Sequence, residues 1–205
     1  MIRIAIPNKG ALNEDAMTLI NAAGYKVRRG ERELCAIDTA NNIEFLFLRP
    51  RDIATYTAHG IVAVGITGRD LLVDSQAEAV ELMPLGFGRS KFYYAAPQNS
   101  GLTLNDLNGR RIATSYPNVV RSDLKQRGYE CEIIKLDGAV EISIRLGVAD
   151  FIADVTETGS TMRNAGLQPI GAPIMESEAL IIGKDQTIRD IPEVHAFLRR
   201  IEGII

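Results

Sequence analysis

Short apolar runs alternate with stretches of helical periodicity along most of the chain. The runs that predict β-strands are 2–6, 43–48, 61–66, 92–96, 151–155 and 179–182, with a further run from residue 80 that passes into a loop by residue 88. Helices are predicted at 12–23, 52–59, 161–165 and 192–205. This alternation is typical of an α/β fold with mainly parallel sheets, because parallel strands need helical crossovers.

The second half of the chain repeats the pattern of the first. The segment IAIPN at 4–8 and a helix ending in Gly-Tyr are echoed by IATSYPN at 112–118 and a helix with the same ending. The apolar strand and turn at 62–68 are echoed at 151–159. Two similar lobes predict a clamshell with a ligand cleft between them, although such patterns also recur by chance among α/β folds. The predicted lobes are 1–96 with 174–205, and 97–173.

A glycine turn rich in hydroxyl groups joins the strand at 151–155 to the helix at 161–165. We call this turn the hydroxyl loop; it consists of Glu157, Thr158, Gly159, Ser160 and Thr161. The first turn of a helix carries N–H groups without helical partners, and glycine lets a ligand approach the backbone. The loop therefore predicts a phosphate site. A well-capped strand-to-helix turn is the alternative, since Ser and Thr favour helix caps in any case.

Three basic residues each follow an apolar strand of the first half: Lys9, Arg49 and Arg69. The carboxyl ends of parallel strands are where α/β proteins bind ligands, so these cations are predicted to face one site and bind a polyanion such as pyrophosphate. Any one of them alone would more simply be a solvated surface cation. Tyr116 stands at the matching loop of the second half, where it could stack on a heterocycle or pack under its own loop.

The charge balance bears on which ligands the chain can bind. The 205 residues contain 23 Lys and Arg against 26 Asp and Glu, a formal net charge of −3. Nucleic-acid binding is not expected, because no face-wide excess of basic residues is available to neutralise a phosphate backbone. With two His and two widely separated Cys, a dedicated transition-metal site is not expected either.

Targeting and low-complexity segments are not evident along the chain. Met1 opens directly into a predicted strand, and no apolar run approaches the roughly 18 residues of a membrane span. We therefore expect a cytoplasmic protein with no membrane attachment. A scaffold role is not expected, since no segment is repetitive or patterned for a partner helix.

Several motifs together resemble the ATP phosphoribosyltransferase family. The family's signature spacing is matched by Glu141, Gly147, Ala149, Ile152, Asp154, Val155, Thr158, Gly159, Thr161 and Met162. Further matches are PNKG at 7–10, FLRP at 47–50, GITGRD at 65–70, LGFG at 85–88 and LDGAVE at 136–141. The resemblance runs from end to end of the chain and is specific.

This resemblance implies a reaction and a fold. N1 of ATP would displace pyrophosphate from C1 of 5-phosphoribosyl 1-diphosphate (PRPP), with Mg²⁺, to give phosphoribosyl-ATP in the first step of histidine biosynthesis. Mg²⁺ would bind through the substrate phosphates rather than through protein ligands. The implied fold has two lobes of the periplasmic-binding-protein type (type II).

The resemblance also implies roles for residues. The hydroxyl loop would bind the 5-phosphate of PRPP, and Lys9 and Arg49 would hold the pyrophosphate. Asp154 and Glu141 would orient the ribose hydroxyls, and Asp154 would also stabilise positive charge that builds on the ring. The ATP side would involve Arg69, Asp70 and Tyr116. Family members often have Arg where this chain has Ser160, a departure that predicts weaker phosphate binding.

The sequence leaves two questions open, one about the form of the family and its partners and one about catalysis. The family has a long form with a C-terminal regulatory domain and a short form that needs a regulatory subunit resembling histidyl-tRNA synthetase. The chain ends at Ile205, which fits either a truncated long form or an abbreviated relative; both imply a homodimer at least. The alternative to an enzyme is a two-lobed binding module that closes on a phosphorylated ligand without chemistry.

Overall fold

A computed structural model describes residues 1–28, 30 and 33–205 of the chain. It divides into two compact units, one formed by Met1–Gly88 with Glu178–Ile205, the other by Arg89–Ser177. The sequence predicted boundaries after residues 96 and 173. The boundaries of the two observed units differ from these. The reason is strand pairing: residues 90–97 and 167–177 pair with each other and belong to the sheet of the second unit.

Strands and helices alternate along much of the described chain. The strands are β1 (Ile2–Pro7), β2 (Cys35–Asp38), β3 (Ile43–Leu48), β4 (Val64–Gly68), β5 (Val80–Pro84), β6 (Ser90–Pro97), β7 (Arg111–Thr114), β8 (Glu132–Lys135), β9 (Phe151–Thr156), β10 (Leu167–Ser177) and β11 (Ala179–Gly183). The helices are α1 (Ala11–Ala22), α2 (Pro50–Ala58), α3 (Arg69–Ser75), α4 (Pro117–Arg127), α5 (Ile142–Arg145), α6 (Ser160–Asn164) and α7 (Pro192–Glu202). Short 3₁₀ turns occupy Leu104–Asp106 and Gln186–Asp190. No helix of this described chain is long and apolar enough to cross a membrane.

The first unit is built on a six-stranded sheet in the order β2-β3-β1-β4-β11-β5. The central pairs β3-β1 and β1-β4 are parallel, whereas β2, β11 and β5 pair antiparallel with their neighbours. Side chains alternate between two apolar clusters: Ile4 and Ile6 pack with Phe197 of α7, and Ala5 packs with Ile53 of α2. Both faces of the sheet are thus covered, as expected for a sheet with a parallel centre.

The second unit has a five-stranded sheet in the order β10-β6-β9-β7-β8. The pairs β9-β7 and β7-β8 are parallel, and β10-β6 and β6-β9 are antiparallel. A cluster that includes Ala113, Ile152, Met162 and Leu167 forms its apolar core. Mainly parallel sheets were expected, but both sheets are mixed. The reason is that each unit contains strands that return antiparallel to the central ones.

Candidate active site

The hydroxyl loop connects β9 to α6 in the second unit, and its turn depends on Gly159. That residue caps α6 in a left-handed conformation, with φ at 72°, which only glycine adopts at little cost. Its N–H donates a 2.7 Å hydrogen bond to Oγ1 of Thr156. The hydroxyl of Thr158 donates to Oγ of Ser160 across 3.0 Å. These contacts hold the loop in a tight turn with its hydroxyl groups close together.

One cavity of about 350 Å³, which we call the loop cavity, gathers most of the predicted PRPP-binding residues. Its polar lining consists of Glu141, Asp154, Thr156, Glu157, Thr158, Ser160 and Thr161. Glu141 precedes α5 and Asp154 lies within β9, so three separate elements supply the lining. Sequence reasoning missed Thr156, which lines the cavity and also holds Gly159 in place.

Gly159 itself lines a second cavity of about 390 Å³, which we call the rear cavity. Its lining includes Lys91, Tyr93, Thr156, Glu157, Thr158, Gly159, Arg163, Pro169 and Gly171. Both cavities are lined by Thr156, Glu157 and Thr158. Lys91 forms a 2.9 Å ion pair with Glu176, whereas the guanidinium of Arg163 lies beside the loop.

Asp154 occupies a half-buried position opposite Tyr93 in the β6-β9 ladder. Its Oδ1 accepts a 2.8 Å hydrogen bond from the N–H of Val155. This bond orients the carboxylate on a rigid strand rather than on a mobile loop, which favours a directional contact with a ligand in the loop cavity.

The predicted basic residues of the first unit lie at the carboxyl ends of its parallel strands. Pro7 of β1 is paired in register with Leu48 of β3, and the N–H of Asn8 donates a 2.8 Å bond to the carbonyl of Leu48. Arg49 therefore directly follows β3, and Lys9 follows the neighbouring parallel strand β1 after Asn8. Both side chains are exposed, and the described residues offer neither one an ion pair or side-chain hydrogen bond. They are two cations available to an anionic ligand.

Arg69 begins α3 after the next parallel strand, but its charge is already engaged. Its guanidinium forms a bidentate pair with Glu81, at 2.9 and 3.2 Å, and reaches Oε1 of Glu178 at 3.3 Å. The hydrogen bonds that Arg69 donates to the Glu81 carboxylate raise the pKa of Arg69 above its usual value. Sequence reasoning missed both partners, and Glu178 in particular is distant along the chain. The neighbouring Asp70 is almost fully buried.

Tyr116 lies in the second unit, where its ring packs against Phe92. The ring centroids are 5.3 Å apart and the planes are nearly perpendicular, an edge-to-face contact. Only 7% of Tyr116 is exposed. The sequence left packing and stacking on a heterocycle open for this residue, and in the structure its ring is packed against Phe92.

Comparison with known proteins places the chain in a family. A model of the HisG family, described as ATP phosphoribosyltransferase, matches residues 49–203. The ATP phosphoribosyltransferase of Corynebacterium kroppenstedtii is 54% identical over 207 residues, which cover 100% of this chain and 72% of that protein. The Streptomyces coelicolor enzyme is 50% identical over 208 residues, covering 100% of this chain and 73% of that protein.

Solved structures agree with this likeness. The chain resembles the structure titled ATP phosphoribosyl transferase (HisG:HisZ) complex from Thermotoga maritima, with a TM-score of 0.87 and 28% identity over 100% of this chain and 98% of that chain. A periplasmic sulfonate-binding protein from Methylobacillus flagellatus matches at a TM-score of 0.61 and 16% identity, over 99% of this chain and 68% of that chain. At that identity the second match shows the fold alone. The predicted α/β, periplasmic-binding-protein-like fold is thereby confirmed.

The family match also decides between the two predicted functions. Relatives of about half identity that are aligned over the whole chain are named as transferases, whereas the sulfonate-binding protein shares only the fold. The reaction is the transfer of the 5-phosphoribosyl group of PRPP to N1 of ATP with release of pyrophosphate, the first step of histidine biosynthesis. The chain belongs to the ATP phosphoribosyltransferase family.

Proposed function

We propose that the loop cavity binds the ribose and 5-phosphate of PRPP. The observation that supports this most directly is the convergence of Thr158, Ser160 and Thr161 hydroxyls with the carboxylates of Glu141 and Asp154 in one cavity. Hydroxyl groups and backbone N–H groups are suited to the phosphate oxygens. Carboxylates are acceptors for ribose hydroxyls, so Asp154 and Glu141 would fix the orientation of the sugar.

The diphosphate of PRPP is proposed to bind to Lys9 and Arg49. Both cations follow adjacent parallel strands, and neither is neutralised by a described residue. The planar guanidinium suits bidentate contact with phosphate, and the ammonium acts as a compact charge. Negative charge on the diphosphate grows as the bond from C1 to oxygen breaks, so both contacts would strengthen in the transition state.

For ATP we propose contacts with Arg69 and Asp70 of the first unit and with Tyr116 of the second. Because Arg69 already pairs with Glu81 and Glu178, a contact with an ATP phosphate would replace one carboxylate partner of its guanidinium by a phosphate.

Adenine N1 carries a lone pair, so attack on C1 needs no general base. Asp154 would stabilise the positive charge that develops on the ribose as the electron pair of the breaking bond moves to the diphosphate oxygen.

Mg²⁺ is the cofactor we propose for this reaction, held mainly by diphosphate oxygens and water. The ion usually keeps several waters and binds through substrate phosphates rather than in an all-protein cage. When bound, the ion would neutralise charge on the leaving group.

We further propose a homo-oligomer, at least a dimer, that works in the cytoplasm, where ATP and PRPP are available. A regulatory subunit resembling histidyl-tRNA synthetase is a candidate partner, because the Thermotoga maritima structure that this chain resembles is titled as a HisG:HisZ complex.

A continuous absorbance assay for phosphoribosyl-ATP tests the function with the purified chain, ATP, PRPP, Mg²⁺ and pyrophosphatase. We expect product, either from the chain alone or after a HisZ-type subunit is added. Product from the chain alone would mean that the partner is dispensable, and rescue by the subunit would mean that it is required. PRPP recovered unchanged in both assays, with binding intact, would contradict transferase activity.

Replacing Gly159 by Val tests the loop assignment. A Cβ at this position would lie 2.9 Å from Nη1 of Arg163, and the positive φ is strained for a β-branched side chain. We expect the KM for PRPP to rise by about tenfold or more, with the KM for ATP little changed, because the turn that presents the hydroxyls is distorted. Gly138→Val is a suitable control, since a Cβ there meets no atom within 4 Å and its φ is not positive. Equal PRPP kinetics in both variants would remove the loop from the site.

A further inference from the structure

The charged side chains that line the loop cavity are all acidic. They are Glu141, Asp154 and Glu157, and the remaining polar lining consists of neutral hydroxyl groups. A phosphate monoester bound there carries up to two negative charges near neutral pH. Three carboxylates around such a ligand repel it, so the site needs a nearby positive charge from outside the cavity lining.

Arg163 is a basic residue whose guanidinium lies beside the loop at Gly159. It lies four positions after Gly159, a spacing that puts both on one side of α6. A Cβ built on Gly159 would meet its Nη1 at 2.9 Å. Because glycine has no side chain, the guanidinium can lie directly against the loop from the side of the rear cavity.

The guanidinium of Arg163 also lacks a structural partner. Within the described ranges 1–28, 30 and 33–205, no carboxylate pairs with it and no acceptor takes a hydrogen bond from it. Arg111 and Arg127 of the same unit are different, since they pair with Asp150 and Asp123 at 2.9 and 2.6 Å. Arg163 therefore retains a charge that the fold does not neutralise.

We propose that Arg163 is a positioning residue for PRPP, whose charge acts across Gly159 on the 5-phosphate and selects its doubly charged form. The proposal rests on the assignment of the hydroxyl loop to that phosphate. It also explains how a loop with Ser160 rather than a basic residue between Gly159 and Thr161 can bind a dianion: the cation reaches the same turn from α6.

Calorimetric titration of the purified chain with PRPP and, separately, with ribose 5-phosphate tests this inference. Arg163→Gln removes the charge and keeps a polar side chain of similar reach, and Arg163→Lys keeps the charge. We expect the Gln variant to bind both ligands about tenfold more weakly or worse, and the Lys variant to lie near wild type. Arg110→Gln is the matched control, an exposed arginine of the same unit that lines neither cavity.

The pH dependence of ribose 5-phosphate binding separates charge from a merely structural role. In wild type the affinity should fall as the pH drops through about 6, where the dianion gains a proton. In Arg163→Gln that fall should be shallower. Saturating PRPP should restore kcat in the Gln variant to within about twofold of wild type, because the 5-phosphate carries no charge change in the reaction.

Three outcomes would overturn the inference. Gln and Lys variants that bind equally weakly would show that shape matters and charge does not. A Gln variant that binds like wild type, while Gly159→Val loses PRPP affinity, would leave the loop in the site and remove Arg163 from it. If Gly159→Val also binds PRPP normally while its thermal unfolding matches wild type, the loop assignment itself fails and the inference fails with it.

Discussion

Replacement of Lys9 or Arg49 by Ala is expected to lower kcat by about 100- to 1000-fold, with a smaller effect on the KM for PRPP. Each side chain is an exposed cation that no described residue neutralises, at the carboxyl end of a parallel strand. If both bind the diphosphate, their contacts gain strength as the leaving group takes up charge, so their loss raises the barrier more than it weakens the ground state.

Steady-state kinetics with both substrates varied would measure this effect. Lys184→Ala is the matched control: this exposed lysine also directly follows a strand of the same sheet. Since β11 runs antiparallel to β4, Lys184 lies at the opposite end of the strands from Lys9 and Arg49. Its removal should therefore leave kcat unchanged. The diphosphate assignment would be abandoned if Lys9→Ala and Arg49→Ala both kept the kcat and kcat/KM of the control.

Asp154→Asn is expected to reduce kcat by about 100-fold while the fold is retained. The amide has nearly the shape of the carboxylate, and its oxygen can still accept the hydrogen bond from the N–H of Val155. What the substitution removes is the negative charge beside the ribose, which we propose stabilises the positive charge that develops as the bond to diphosphate breaks.

Single-turnover kinetics with saturating PRPP would separate this chemical effect from binding. Asp137→Asn serves as the control, because Asp137 is a strongly exposed carboxylate of the same unit in a long 3.7 Å contact with Lys135. If the single-turnover rate of Asp154→Asn equalled that of the control, the charge of Asp154 would not stabilise the transition state. A lower affinity with an unchanged rate would limit its role to binding the ribose.

Three strands without a predictive apolar run share one property, which is their place at a sheet edge. The strands β2, β8 and β10 are all outermost in their sheets. Edge strands are partly exposed, so they lack the continuous apolar runs that predict strands in a sheet interior. In β10, Pro169 and Pro173 reinforce the impression of a loop, yet proline is tolerated where one side of a strand has no partner.

The site could be predicted in part because its chemistry is local in the sequence. The hydroxyl loop is one continuous segment, and the cations follow apolar strands that are easily recognised. The engagement of Arg69 by Glu178 depends instead on β11 returning beside β4, a long-range pairing that no local pattern indicates. Arg163 lay within reach of prediction, since a residue four positions after a glycine cap faces that cap.

The place of β11 fixes an order of assembly while the chain is being synthesised. This strand lies between β4 and β5 in the first sheet, but it follows the whole second unit in the sequence. When the ribosome has completed Ser177, every strand of the second sheet exists, whereas β4 has an open edge and β5 lacks its neighbour. The second unit can therefore fold while the first still exposes apolar strand edges to chaperones or to other nascent chains. The unit whose synthesis begins first is the one whose folding is completed last.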